Sequence, residues 1–169
     1  MRVEVARLFV PASKLINDNY GQHYRTQMGK AKWLKTQASL LVEGSIAPCG
    51  FKLPPKEYVR SLTKDGTAFK LILEHWKCQQ TFDLANYEMT FKPVIDVYSE
   101  AGYWKDDAWK YAWPVTFNGG DYSVWRQRAV RFEDDGLPDD IKRDWWEANG
   151  CDPKTYSFIR VIVDSEQVL

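Results

Sequence analysis

The sequence predicts an α+β (mixed α/β) fold: one two-layer domain with a mixed sheet of four to five strands. Two main helices, plus a short helix in a C-terminal insertion, complete the expected architecture. Three observations lead there. Strand-like apolar segments sit near both ends and in the middle of the chain, and two stretches with helical spacing are each closed by glycine. The 169 residues also include 8 Trp, 9 Tyr and 8 Phe, a content that requires a core and excludes a disordered chain. The length fits a single domain over 1–169, with an insertion at 118–154.

Val3, Val5 and the run Leu8-Phe9-Val10 predict an opening strand closed by Pro11. A polar loop follows, with Asn17, Asp18 and Asn19. Residues 23–43, carrying Met28, Lys32, Lys35, Ala38 and Leu41, predict a helix stopped by Gly44. Residues 44–65 are rich in Pro and Gly and read as loop. Residues 67–76 (TAFKLILEHW) predict a strand with Phe69, Leu71 and Leu73 on one face. Phe91, Val94, Ile95 and Tyr98 fall at i, i+3, i+4 and i+7, a second helix with Thr90 as N-cap, Pro93 in its first turn and Gly102 at its end. Residues 109–117 and 122–132 read as strands about the turn Asn118-Gly119-Gly120. Residues 137–149 suit a short amphipathic helix with Ile141 and Trp145 on one face, and 156–163 closes the chain as a strand.

The formal charge is zero, 23 Lys+Arg against 23 Asp+Glu, yet the halves differ. Residues 1–80 hold 13 basic and 6 acidic side chains, a balance of +7; residues 81–169 hold 10 and 17, a balance of −7. Such asymmetry fits polyanion binding by the basic part, and equally fits two solvated faces of different sign. Within the first helix Arg25, Lys30, Lys32 and Lys35 interleave with Tyr24 and Trp33, a pattern suited to a phosphate backbone beside exposed bases. It is also the pattern of an ordinary soluble helix with Trp33 in the core. Cys49, Cys78 and Cys151 form no CxxC pair and the two histidines are isolated from them, so we expect reduced thiols and no zinc site. No apolar run approaches the roughly 20 residues that cross a bilayer, and no secretion leader opens the chain, so a cytoplasmic protein without a membrane partner is expected.

Chemistry concentrates in residues 82–108, FDLANYEMTFKPVIDVYSEAGYWKDDA. Asp83 follows a strand, Lys92 and Asp96 lie one helical turn apart, and Asp106-Asp107 come just after that helix. Converging carboxylates suit a hard cation such as Mg²⁺, which takes oxygen ligands and keeps positions for water and phosphate. A neighbouring lysine can neutralise charge on a phosphate or a leaving oxygen. The same spacing also describes an i,i+4 ion pair and two turn aspartates.

The order of these residues resembles the RusA family of Holliday junction resolvases, found in phages and prophages. That signature runs Asp, Asn, Lys, an Asp four residues on, Ala-Gly, then Asp-Asp. Here it reads Asp83, Asn86, Lys92, Asp96, Ala101-Gly102 and Asp106-Asp107, with Tyr103-Trp104 before the acidic pair and Thr90 two residues before the lysine. The resemblance is strong over about 27 residues and compatible at the N-terminus, where a strand, an Asn-containing loop and a basic helix recur. The 118–154 segment has no counterpart in it.

The resemblance implies a homodimer that binds branched DNA, a four-way junction, and nicks two opposing strands symmetrically in recombination, repair or phage DNA processing. It implies Mg²⁺, or Mn²⁺ in its place, held by Asp83, Asp106 and Asp107. Asp83, Lys92 and Asp107 are then the catalytic set, with Lys92 on the scissile phosphate or leaving group. Asp96 orients Lys92, and Asn86 supports the loop. His23, Arg25, Lys30, Lys32, Lys35 and Lys77 would grip DNA. The location implied is the cytoplasm, that of the bacterial host if the gene is phage-borne. Two departures stand out. Ala85 occupies the position of a second family acid, with Glu88 the nearest substitute, and Gln79-Gln80-Thr81 replace a basic residue before Asp83. They leave two readings: an active endonuclease, or a related junction-binding protein with impaired catalysis.

Overall fold

The two ends of the chain lie side by side. Strand β1 (Arg2–Pro11) pairs antiparallel with β4 (Tyr156–Ser165), which pairs antiparallel with β2 (Phe69–Lys77). A short strand β3 (Trp125–Ala129) joins the outer side of β2 in parallel, giving the order β1-β4-β2-β3. The fold is α+β, as expected. The computed structural model describes residues 1–17, 24–63, 69–77, 89–104, 125–129, 142 and 144–165. The expected strand over 109–117, the Asn118-Gly119-Gly120 turn and Ile141 lie outside them.

Both faces of the central strands are covered, which is why the run from Leu71 to Trp76 is buried without alternation. On one face Val5, Leu8, Val10, Leu71, Leu73, Ile159, Val161 and Val163 pack with helix residues Leu34, Ala38, Leu41, Val94, Ile95 and Tyr98. These come from α1 (Tyr24–Val42) and α3 (Lys92–Glu100). On the other face Trp76, Phe158 and Phe9 pack with Trp146 of α4 (Asp144–Ala148). Trp146 meets Phe9 edge-on at 5.3 Å between ring centroids, and its indole N–H donates to the Tyr156 carbonyl at 3.1 Å.

That second face also buries charge. The Arg160 guanidinium donates to the Glu74 carboxylate, with side-chain exposures of 7% and 3%, and stands 3.7 Å from Glu4. Glu4 takes a bidentate pair from Arg7 at 2.5 and 3.1 Å, and Arg7 lies over the Trp145 ring at 4.7 Å. The Trp76 indole adds a further donor to Glu74 at 3.3 Å.

The helix ends repeat one device. At α1 the Ser45 N–H bonds the Leu40 carbonyl and the Gly44 N–H bonds Leu41, with Gly44 at φ +75°. At α3 the Tyr103 N–H bonds Tyr98 and the Gly102 N–H bonds Ser99, with Gly102 at φ +83°. Each is a Schellman closure that needs a left-handed residue after the helix, so glycine marks the stop.

Two expectations are corrected. Residues 44–65 are not all loop: α2 (Lys56–Leu62) lies there, burying Val59 and Leu62. Its prolines precede the first turn, where a missing N–H is tolerated, so their count misleads while their position does not. Thr90 does not cap α3; Phe91 occupies that position and no side chain caps it. In α4 the fully buried indole is Trp146, whereas Trp145 is half-buried under Arg7.

Tyr98 spans the first layer, its hydroxyl donating to the Val5 carbonyl and its ring stacked on Trp104 at 5.7 Å. Burial pushes its phenol well above the ordinary value, and burial also raises that of Tyr103. A raised folded-state pKa contributes stability that is complete below the unfolded value near 10 and is lost as pH rises above it. Stability is therefore expected to fall between pH 10 and 12, by about 1.4 kcal/mol per pH unit for a fully buried phenol. Urea midpoints measured across that range check this, and Tyr98→Phe should flatten the slope.

Candidate functional site

β1 and β2 both run opposite to β4, so their C-terminal ends, Pro11 and Lys77, lie on the same edge of the sheet. After β1 the chain makes a single 3-10 turn (Ala12–Lys14) and then the segment Leu15-Ile16-Asn17. Thr90 fastens that segment to the start of α3. Its hydroxyl accepts the Ile16 N–H at 3.0 Å and donates to the Ile16 carbonyl at 3.3 Å, fully buried. From the other side the Lys30 ammonium of α1 donates to the Leu15 carbonyl at 3.0 Å. The first turn of α3 and the N-terminal half of α1 thus share one short loop.

Lys92 opens α3, and its ammonium sits 2.6 Å from the Asp96 carboxylate one turn later. The arrangement runs against local electrostatics. A cation in the first turn faces the positive end of the helix dipole, and lysine preceding an acid at i,i+4 is the weaker order of the pair. Asp96 offsets that cost and fixes the Lys92 head, which keeps about half its exposure, 48%. Departures from local rules of this kind concentrate at functional positions.

Positive charge gathers around the same loop. Burial, and then the nearby charge of Lys14, lower the pKa of Lys30. Lys14 belongs to this corner although nothing around it in the sequence marks it. Along α1, Arg25, Lys32 and Lys35 are exposed, as are Tyr24 at 72% and Met28 at 53%. Lys32 and Lys35 line a shallow groove of about 520 Å³ with Met28 and Leu40. Tyr24 presents its ring to solvent, whereas Trp33 is half-buried against the core.

His23, Asp83, Asn86, Glu88, Asp106 and Asp107 lie outside the described residues, as does Ala85. The chain that carries Asp83 and Asn86 leaves the described structure at Lys77, the last residue of β2, and re-enters at Met89 beside Thr90. Both points lie at the corner just described. The chain that carries Asp106-Asp107 departs at Trp104, past the far end of α3, whose nine residues span roughly 13 Å. Among the described residues no three His, Cys, Asp or Glu side chains gather as metal ligands would, and no helix is long and apolar enough to cross a membrane. The described part of the corner can therefore neutralise and orient an anionic backbone; the proposed cation ligands all belong to the other segments. No protein-family model matches the chain, and no curated protein matches it.

Proposed function

We propose that this protein is a Mg²⁺-dependent, structure-selective DNA endonuclease of the RusA type that nicks four-way junctions as a homodimer. The observation that carries the reading is the held Lys92–Asp96 pair at the opening of α3. It stands at the lysine and second aspartate of the motif and at the edge where the chain toward Asp83 emerges. Support also comes from Lys14 and Lys30 at the same loop and from exposed Tyr24, Arg25, Lys32 and Lys35 on the adjoining helix. A basic stripe with an aromatic at its end suits a branched duplex with unstacked bases at its centre.

In this reading Asp83, Asp106 and Asp107 provide the hard oxygen donors for the cation, with Glu88 available near the position that Ala85 vacates. When bound, Mg²⁺ would polarise the phosphodiester and make a water more acidic. Lys92 holds the scissile phosphate or the leaving oxygen, and Asp96 keeps the ammonium aimed. The α1 lysines hold the flanking backbone, so binding weakens steeply with salt.

Lys92→Ala is expected to lower the nicking rate on a synthetic four-way junction by about 10²-fold or more. Junction affinity should change no more than a few-fold. Lys92→Ala cleaving like the parent protein would remove Lys92 from the assignment. The second reading, a junction-binding protein with lost catalysis, is favoured by Ala85 and by Gln79-Gln80-Thr81 in place of a basic residue. It predicts salt-sensitive junction binding with no nicking in Mg²⁺ or Mn²⁺.

A further inference from the structure

Cys49 and Cys151 are far apart in sequence yet both contact Asn149, Cys49 through its side chain and Cys151 through its carbonyl. Cys49 lies in the 3-10 turn Pro48–Gly50, held in the left-handed region at φ 58°, ψ 29°. Asn149, just past α4, reaches it twice: the Asn149 Oδ1 accepts the Cys49 N–H at 3.4 Å, and Nδ2 stands 3.4 Å from the Cys49 Sγ. The same Nδ2 donates to the Trp145 carbonyl at 2.7 Å, which locks the amide in place. Cys151 Sγ lies 3.5 Å from the Asn149 carbonyl oxygen. Both thiols are half-buried, and each lies within 3.5 Å of an Asn149 atom.

We propose that Cys49 and Cys151 form a reversible disulfide, a clasp that ties the Pro48–Gly50 turn to the chain leaving α4. A disulfide needs the two Cα atoms within about 7 Å and some freedom to turn the side chains. Each cysteine adjoins a glycine at positive φ, Gly50 and Gly150, and a Cβ added at either would meet nothing within 4 Å. Open space therefore lies beside the backbone next to each cysteine. The Asn149 amide holds the turn to the end of α4.

The oxidant would be a small disulfide of the glutathione class. A Cys151 thiolate attacks one sulfur of it, breaking that S–S bond and releasing one small thiolate. A Cys49 thiolate then attacks the Cys151 sulfur of the mixed disulfide and releases the second. Two protein thiols lose two electrons and two protons, and the oxidant becomes two thiols. Burial pushes the Cys49 thiol up to about 11 and raises Cys151 as well, so the pair resists oxidation at neutral pH and closes faster in alkali. This clasp stands apart from the nuclease reading and survives if that reading fails.

The test uses the full chain, both as it is and with Cys78→Ser, treated with oxidised glutathione at pH 7 and pH 9. Expected are a mass loss of about 2 Da without a glutathione adduct and a peptide pair joining Cys49 to Cys151. Closure should be roughly tenfold or more faster at pH 9, and dithiothreitol should reverse it. The thermal midpoint should rise by about 5–10 °C on oxidation, because the bond closes a long loop. Cys49→Ser and Cys151→Ser should each keep a glutathione adduct and show no such rise. A stable adduct on the protein with both cysteines, a cross-link that maps to Cys78, or thiols untouched at pH 9 would overturn the proposal.

Discussion

Asp107→Asn is expected to reduce Mg²⁺-dependent nicking of a four-way junction by at least about 10²–10³-fold while leaving junction binding within a few-fold of the parent. The substitution keeps size and hydrogen-bonding atoms but removes the negative charge that a hard cation needs from its ligand. The described corner, with Lys30, Lys92 and the α1 lysines, is untouched by it, so affinity should persist. Gel-shift and cleavage assays on the same labelled junction read the two quantities separately. Unchanged cleavage would take Asp107 out of the site; loss of both binding and cleavage would point to folding instead.

The second large effect concerns stability. Glu74→Ala is expected to cost about 3–5 kcal/mol, because it leaves the Arg160 guanidinium buried without its main carboxylate. Glu4, 3.7 Å from Arg160 and already engaged by Arg7, compensates only in part. The paired change Glu74→Leu with Arg160→Met removes both charges and should restore much of the loss. Urea unfolding of the single and double variants measures this. A double variant as weak as the single one would mean that the ion pair itself, rather than the orphaned charge, carries the stability.

What the sequence revealed follows the strength of local signals. β1 and β4 were legible because Val3, Val5, Leu8 and the run from Phe158 to Val163 need burial whatever their partners. The ends of α1 and α3 were legible because Gly44 and Gly102 each permit a left-handed turn that other residues resist. Pairing was not legible: nothing in Trp125–Ala129 announces a parallel partner, and nothing near the C-terminus announces that β4 lies between β1 and β2. α2 hid behind its prolines. Glu74 and Arg160, 86 residues apart, look like two ordinary strand charges until the sheet places them side by side.

At the candidate site the Lys92–Asp96 pair was readable from spacing alone, since i,i+4 on a helix fixes the neighbourhood. Thr90 was misread because an N-cap is the common use of threonine before a helix, whereas here its hydroxyl is taken by Ile16, 74 residues away. Lys14 gave no signal, since only the tertiary arrangement brings it toward Lys30.

Cleavage of a synthetic four-way junction by the purified protein, with and without Mg²⁺, decides whether this chain is a junction endonuclease. Paired, symmetric nicks that require Mg²⁺ are expected, with linear duplex of the same sequence left intact. A protein that binds the junction yet leaves it whole in both Mg²⁺ and Mn²⁺ would contradict that expectation.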